Sequence, residues 1–188
     1  WLFEDFVINF VHAPIQAGGG YSGRGSNLES YLTTKKCFIQ IPKDKNNSCC
    51  ARAIVTAKAR IDNHSAWNSM RVGCEIQNTL ATKLQKQAKI PQGTLCGPEE
   101  WQKFQNVLGD EYQLCVWSRD YFNAIIYSGP TFTEKQLHLY LADDHVSVIT
   151  SMPAFLERTY FCKTCQVGYS NLGTHTCKGG CRQCKHKH

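Results

Sequence analysis

The hydrophobic period changes once along this chain, and that change does most to limit the fold. Before Gly109 the apolar positions recur mainly at helical spacing; after it they fall in short blocks separated by turn residues. Cys37-Phe38-Ile39-Gln40-Ile41, closed by Pro42, reads as a strand. Cys50, Ala53, Ile54, Ala57 and Ile61 then follow the rhythm of one buried helical stripe, with Ser48 or Asn47 at the N-cap position. Residues 73–89 predict a second helix with Ile76, Leu80 and Leu84 on one side. GPEEWQKFQNVLG predicts a compact third, opened by Pro98 and acids and stopped at Gly109. YQLCVWS, NAIIYS, QLHLYLA and HVSVI read as four strands. A strand, then helices, then a run of strands is an α+β plan, with helices on a mostly antiparallel sheet.

Eleven cysteines serve this chain, an odd number, so at least one is free or metal-bound. Five crowd into the last stretch, YFCKTCQVGYSNLGTHTCKGGCRQC, and six are scattered among apolar residues. That distribution reads as reduced thiols plus a metal site, which implies an intracellular, reducing compartment such as cytoplasm or nucleus. Cys162 and Cys165 form one C-x2-C knuckle, His175 and Cys177 follow, and Cys181 and Cys184 form another. Sulfur and imidazole at these spacings suit tetrahedral Zn2+. Cys162, Cys165 and His175 lead the ligand set, with Cys177, Cys181 or Cys184 as the fourth. A closed four-ligand site staples a small lobe and leaves no position for catalysis. Lys163, Lys178, Arg182 and Lys185 make a nucleic-acid or protein contact the functional alternative. His186 and His188 are terminal.

The net charge of +6 permits contact with nucleic acid or an acidic protein face without requiring it. No apolar run approaches the roughly 20 residues of a membrane span. WLFEDFVINF lacks a basic start and carries acids, unlike a secretory signal. APIQAGGGYSGRGSN reads as a flexible loop.

Cys49 and Cys50 stand together where the first helix begins. Cys50 lies on the apolar stripe and reads as a core thiol. Cys49 occupies the first turn, where the helix dipole and unpaired N–H groups favour a thiolate. Such a thiol becomes a nucleophile if a histidine reaches it. Among seven histidines the best placed is His145, which opens the strand HVSVI after the turn Ala142-Asp143-Asp144.

Two resemblances bear on this pair. NNSCCARA is similar to the D-G-N-C-L-F-R-A nucleophile segment of OTU-type cysteine proteases. Cys49 falls on the nucleophile, Arg52 and Ala53 on the R-A pair, and Asn46 on the aspartate. DDHVSVI resembles the strand carrying that family's histidine, at His145. The stretch from about Lys35 to Cys184 also resembles the region ahead of the polymerase core in Polinton/Maverick protein-primed DNA polymerases, in KKCFIQI, CCARAIVTA, HVSVITSMPAFL and YFCKTC. The resemblances imply a papain-like, OTU-like fold with a C-terminal zinc lobe. The division is an N-terminal segment 1–34, a catalytic domain 35–158 and a zinc-binding lobe 159–188. They further imply a thiol isopeptidase acting on ubiquitin or a related modifier after its C-terminal glycine. Cys49 would attack, His145 would carry the proton, and backbone N–H groups near Asn46 would hold the oxyanion. Trp117 would help line the channel for the substrate's tail. Asn46 departs from the family's aspartate. Ser147 stands where a second-partner Asp or Asn is common, and Asp143, Asp144 or Asn123 could orient the imidazole instead. The rival reading is a catalytically inactive binding module of a transposon-type family B DNA polymerase, contacting DNA or protein.

Overall fold

A computed structural model describes residues 35–44, 46–173, 175 and 177. The segment 1–34, Cys181, Cys184 and the terminal histidines lie outside the described residues. Strand β1 (Phe38–Ile39) is followed by helices α1 (Cys49–Ile61), α2 (Trp67–Met70), α3 (Glu75–Gln87) and α4 (Pro98–Leu108). A 3-10 turn, Gly109–Glu111, leads into β2 (Gln113–Ser118), β3 (Ala124–Ser128), β4 (Gln136–Ala142) and β5 (His145–Ile149). The short helix α5 (Met152–Phe155) precedes a hairpin of β6 (Tyr160–Cys162) and β7 (Val167–Tyr169). The protein is therefore mixed α+β.

Five strands form one sheet in the order β1-β5-β4-β2-β3. The neighbours are antiparallel except β2 and β4, which run parallel. Strand alternation gives the sheet two apolar faces. Leu114, Val116, Leu137, Leu139, Val146 and Val148 belong to the helix-side core, with Cys50, Ala53, Ile54 and Phe104. Trp117, Tyr140 and Ile149 join Met152 and Phe155 in a second cluster on the other side. There Phe38, Trp117, Tyr140 and Phe155 pack ring against ring at 5.1–5.8 Å between centroids. Each such pair is worth about 0.5–1.5 kcal/mol beyond its buried area. Trp117 is consequently a core residue: it is 3% exposed, and its Nε1–H donates to His138 Nδ1 at 3.2 Å. It lines no substrate channel.

Helix α1 is buried almost all round, on Cys50–Ala57 and Ala59, so its stripe is one part of a central helix. α4 opens on half of a capping box, in which the Glu100 carboxylate takes the Gly97 N–H at 3.0 Å. α3 corrects the expected face. Ile76 is exposed, and the buried residues are Gln77, Ala81, Leu84 and Gln85. Gln77 tolerates full burial because its amide meets Arg52 Nε at 2.7 Å, Thr56 Oγ1 at 2.9 Å and the Met70 carbonyl at 2.8 Å. No helix of the described residues is long and apolar enough to cross a membrane.

Candidate functional site

The loop from Ile41 to Ser48 decides how α1 begins. Asp44 is its organiser. Asp44 Oδ1 accepts the N–H groups of Asn46 at 3.0 Å and Ser48 at 3.1 Å, and Oδ2 accepts the Ser48 hydroxyl. Arg52 Nη1 reaches back to the Pro42 carbonyl at 2.8 Å and to Asp44 Oδ2 at 3.4 Å. Burial pushes the Asp44 carboxyl up, but the Ser48 hydroxyl, the two N–H groups and Arg52 together hold it below its ordinary value. Ser48 stands at the N-cap position without capping, because its hydroxyl is given to Asp44. Asn46 O accepts the Gly93 N–H at 2.9 Å, and Asn47 Nδ2 donates to Gly93 O at 2.9 Å, so the loop is stitched to the turn before α4. The N–H of Asn46 is thereby committed to holding the loop. Sequence reading missed Asp44; its signal was an Asp four residues before a helix-start Ser.

Cys49 is the first residue of α1 and half-buried. The backbone N–H groups of Val146 and Cys50 lower its thiol pKa, but burial, helped by Cys96 and Asp44, outweighs them and raises it above the ordinary value. The resting form at neutral pH is the thiol. Cys50 is fully buried; a hydrogen bond given to Cys96, then burial, pushes its thiol well up. It is a core residue beside Cys49.

His145 opens β5 opposite Ala142, and its Nε2 lies 2.7 Å from the Ile41 carbonyl. A carbonyl only accepts, so Nε2 carries the proton and Nδ1 holds the lone pair. Burial lowers the imidazole pKa, Lys43 and Arg52 add to this, and the Ile41 carbonyl and Asp44 oppose it. The thiol faces residue 146 and the imidazole belongs to residue 145, yet no hydrogen bond joins them among the described residues. Ser147 is buried in register with Tyr140. The imidazole's acceptor is the Ile41 backbone instead. Asn123 receives the Tyr140 hydroxyl at 2.7 Å, and Asp143 pairs with Arg119 at 3.4 Å.

A second cluster lies on the β6–β7 hairpin. The ligand atoms of Cys162, Cys165, His175 and Cys177 all fall within 4.8 Å of one another, an arrangement that can hold a metal ion. Cys177 Sγ is 3.6 Å from Cys162 Sγ and 3.2 Å from Cys165 Sγ. The Cys165 N–H points at Cys162 Sγ at 3.4 Å. Tyr169 stacks on the His175 ring at 4.4 Å, and His175 Nε2 is buried without a hydrogen-bond partner. A buried nitrogen without a partner among the described residues, beside three sulfurs, is free to serve as a metal ligand. Hydrogen bonding with Cys165, burial and hydrogen bonding with Cys162 raise the Cys177 thiol to about 11.

No protein-family model, curated protein or solved structure matches this chain.

Proposed function

We propose that the chain is a thiol isopeptidase that cleaves ubiquitin or a related modifier after its C-terminal glycine. The observation that carries this reading is the start of β5. There the Cys49 sulfur lies against the Val146 N–H, one residue from an imidazole whose tautomer is set by the Ile41 carbonyl. With Nε2–H held, Nδ1 is the base. Depressed basicity keeps it neutral and ready to accept a proton. The resting pair is a thiol and a neutral imidazole, and substrate binding brings them into hydrogen-bond reach, as catalytic contacts often tighten in the complex. Sulfur attacks the glycine carbonyl, and the thiol proton passes to His145 and on to the lysine amine as the C–N bond breaks. Water then hydrolyses the thioester with His145 as base. With Asn46 and Ser48 given to Asp44, the N–H groups of Asn47 and Cys49 are the loop's oxyanion donors.

The second cluster takes Zn2+ in this reading. Sulfurs at tetrahedral corners about 2.3 Å from zinc stand roughly 3.8 Å apart. The observed separations of 3.2 and 3.6 Å are a slightly contracted version of that set. Four protein ligands close the coordination, so the metal staples the hairpin and supplies no chemistry to Cys49.

One observation favours the rival, a non-catalytic module serving a DNA polymerase: the Cys49 thiol is raised rather than lowered. A ubiquitin probe with a C-terminal electrophile separates the two. An adduct on the wild type and none on Cys49→Ala is the expected result. A folded, zinc-loaded protein that forms no adduct, but binds DNA with a steep salt dependence, would carry the rival.

A further inference from the structure

The turn between β2 and β3 leaves two aromatic rings in water. Phe122 is 97% exposed and Tyr121 64%. Phe122 and Asn123 both have left-handed backbone, at φ 54° and 59°. Glycine, asparagine and aspartate normally occupy such positions, and a bulky aromatic there is strained. The turn is nonetheless firmly built. Phe122 N–H donates to Arg119 O at 3.1 Å, Asn123 N–H to Ser118 O at 2.8 Å, and Ala124 N–H to Tyr121 O at 2.9 Å. Tyr140 Oη clamps the Asn123 side chain at 2.7 Å. A rigid support presenting apolar rings has the form of a binding anchor, because little ordering remains to be done on association.

Its position and charge say what it fits. β2 and β4 run parallel, with Ser118 level with Leu141, so the 119–123 turn lies at the end of the sheet where β4 turns into β5 and His145. The Arg119 N–H donates to Leu141 O at 3.0 Å, and its guanidinium pairs with Asp143. The two turns carry Arg119 against Asp120, Asp143 and Asp144, all exposed. An acidic surround repels phosphate, which argues against stacked bases of a nucleic acid, and it attracts basic side chains.

We infer that the Tyr121–Phe122 turn is the substrate-docking anchor of the candidate thiol site, seating its rings in an apolar patch, rimmed by basic residues, on the modifier protein. This rests on the isopeptidase reading for the identity of the modifier.

The test uses the full chain carrying Cys49→Ala, titrated calorimetrically with mono-ubiquitin. Phe122→Ser, with unchanged melting temperature, is expected to weaken binding at least tenfold. Asp120→Lys is expected to weaken it severalfold at low salt, with the difference shrinking at high salt. Equal affinity in the folded Phe122→Ser variant overturns the inference, as does no titration by the Cys49→Ala parent. Binding of an oligothymidylate that depends on Phe122 also overturns it. The catalytic reading fails separately: it fails if the wild type forms no Cys49 adduct with the electrophilic probe. An adduct forming as fast in Phe122→Ser as in wild type, below saturating probe, would keep the catalysis and discard the anchor.

Discussion

Arg52 shows what a single side chain contributes here. It is buried to 5% exposure and joins three segments: the exit of β1 at Pro42, the Asp44 loop and Gln77 on α3. Removing the cation leaves Gln77 Oε1 and the Pro42 carbonyl without their donor. Arg52→Met should lower unfolding free energy by about 3–5 kcal/mol, measured by denaturant titration. It should also raise the reactivity of the loop to proteolysis. At His145 the sign is set by a lowered pKa. The imidazole stays a neutral base below its ordinary value of 6.5, so the acid limb of probe-adduct formation at Cys49 should fall below pH 6.5. The raised thiol works at the other end: direct alkylation of Cys49 should still be climbing with pH at the ordinary thiol value of 9.0 and level off only above it. A stopped-flow pH series reads both limbs, and an acid limb at or above 6.5 would contradict the depressed imidazole.

At the scale of elements, the exit of β3 at Gly129 meets α4 in a close approach rather than a loose turn. A Cβ added at Gly129 would overlap the Gln105 amide, 2.7 Å from its Cδ. That amide bonds the Tyr112 carbonyl at 2.8 Å and the Leu114 N–H at 2.8 Å. Gly129→Ala should therefore cost about 1–3 kcal/mol in thermal or chemical unfolding. The β6–β7 hairpin carries the Cys162, Cys165, His175 and Cys177 cluster that could hold a metal ion, and a metal bound there would staple it. Chelation should strip amide-exchange protection from residues 160–169 while β2, β4 and β5 keep theirs. Because Phe161 packs 6.4 Å from Trp117, the same treatment should shift tryptophan fluorescence. Elements with strong local signals were legible in the sequence: α1 by its apolar stripe, α4 by its opening proline and acids and its closing glycine, β2, β4 and β5 by short apolar blocks, the Cys/His cluster by its knuckle spacing. α2 and α5 have four residues each and no periodicity to show. The buried side of α3 was hidden because Gln77 reads as polar, and only its three tertiary partners make burial affordable. The Ile41 carbonyl escaped because a main-chain acceptor has no letter of its own.

For the whole molecule, acid stability should be governed by His138. Burial, with Lys163 adding, depresses its imidazole from 6.5 to about 3. The folded state refuses a proton that the unfolded chain accepts. Stability is thus full above pH 6.5 and drains away as pH falls through the window from 6.5 to about 3. Urea midpoints taken across that window should decline, and His138→Gln should flatten the decline; an unchanged slope would reassign the acid sensitivity. The α+β plan was readable from the change of period, whereas the sheet order was not, because strands distant in sequence choose their neighbours by packing. The pairing of β1 with β5 is the extreme case, and the bond between Ile41 and His145 spans 104 residues of chain. On the ribosome, Cys49 emerges well before β5, so its sulfur can settle against the Val146 N–H only once that strand has left the tunnel.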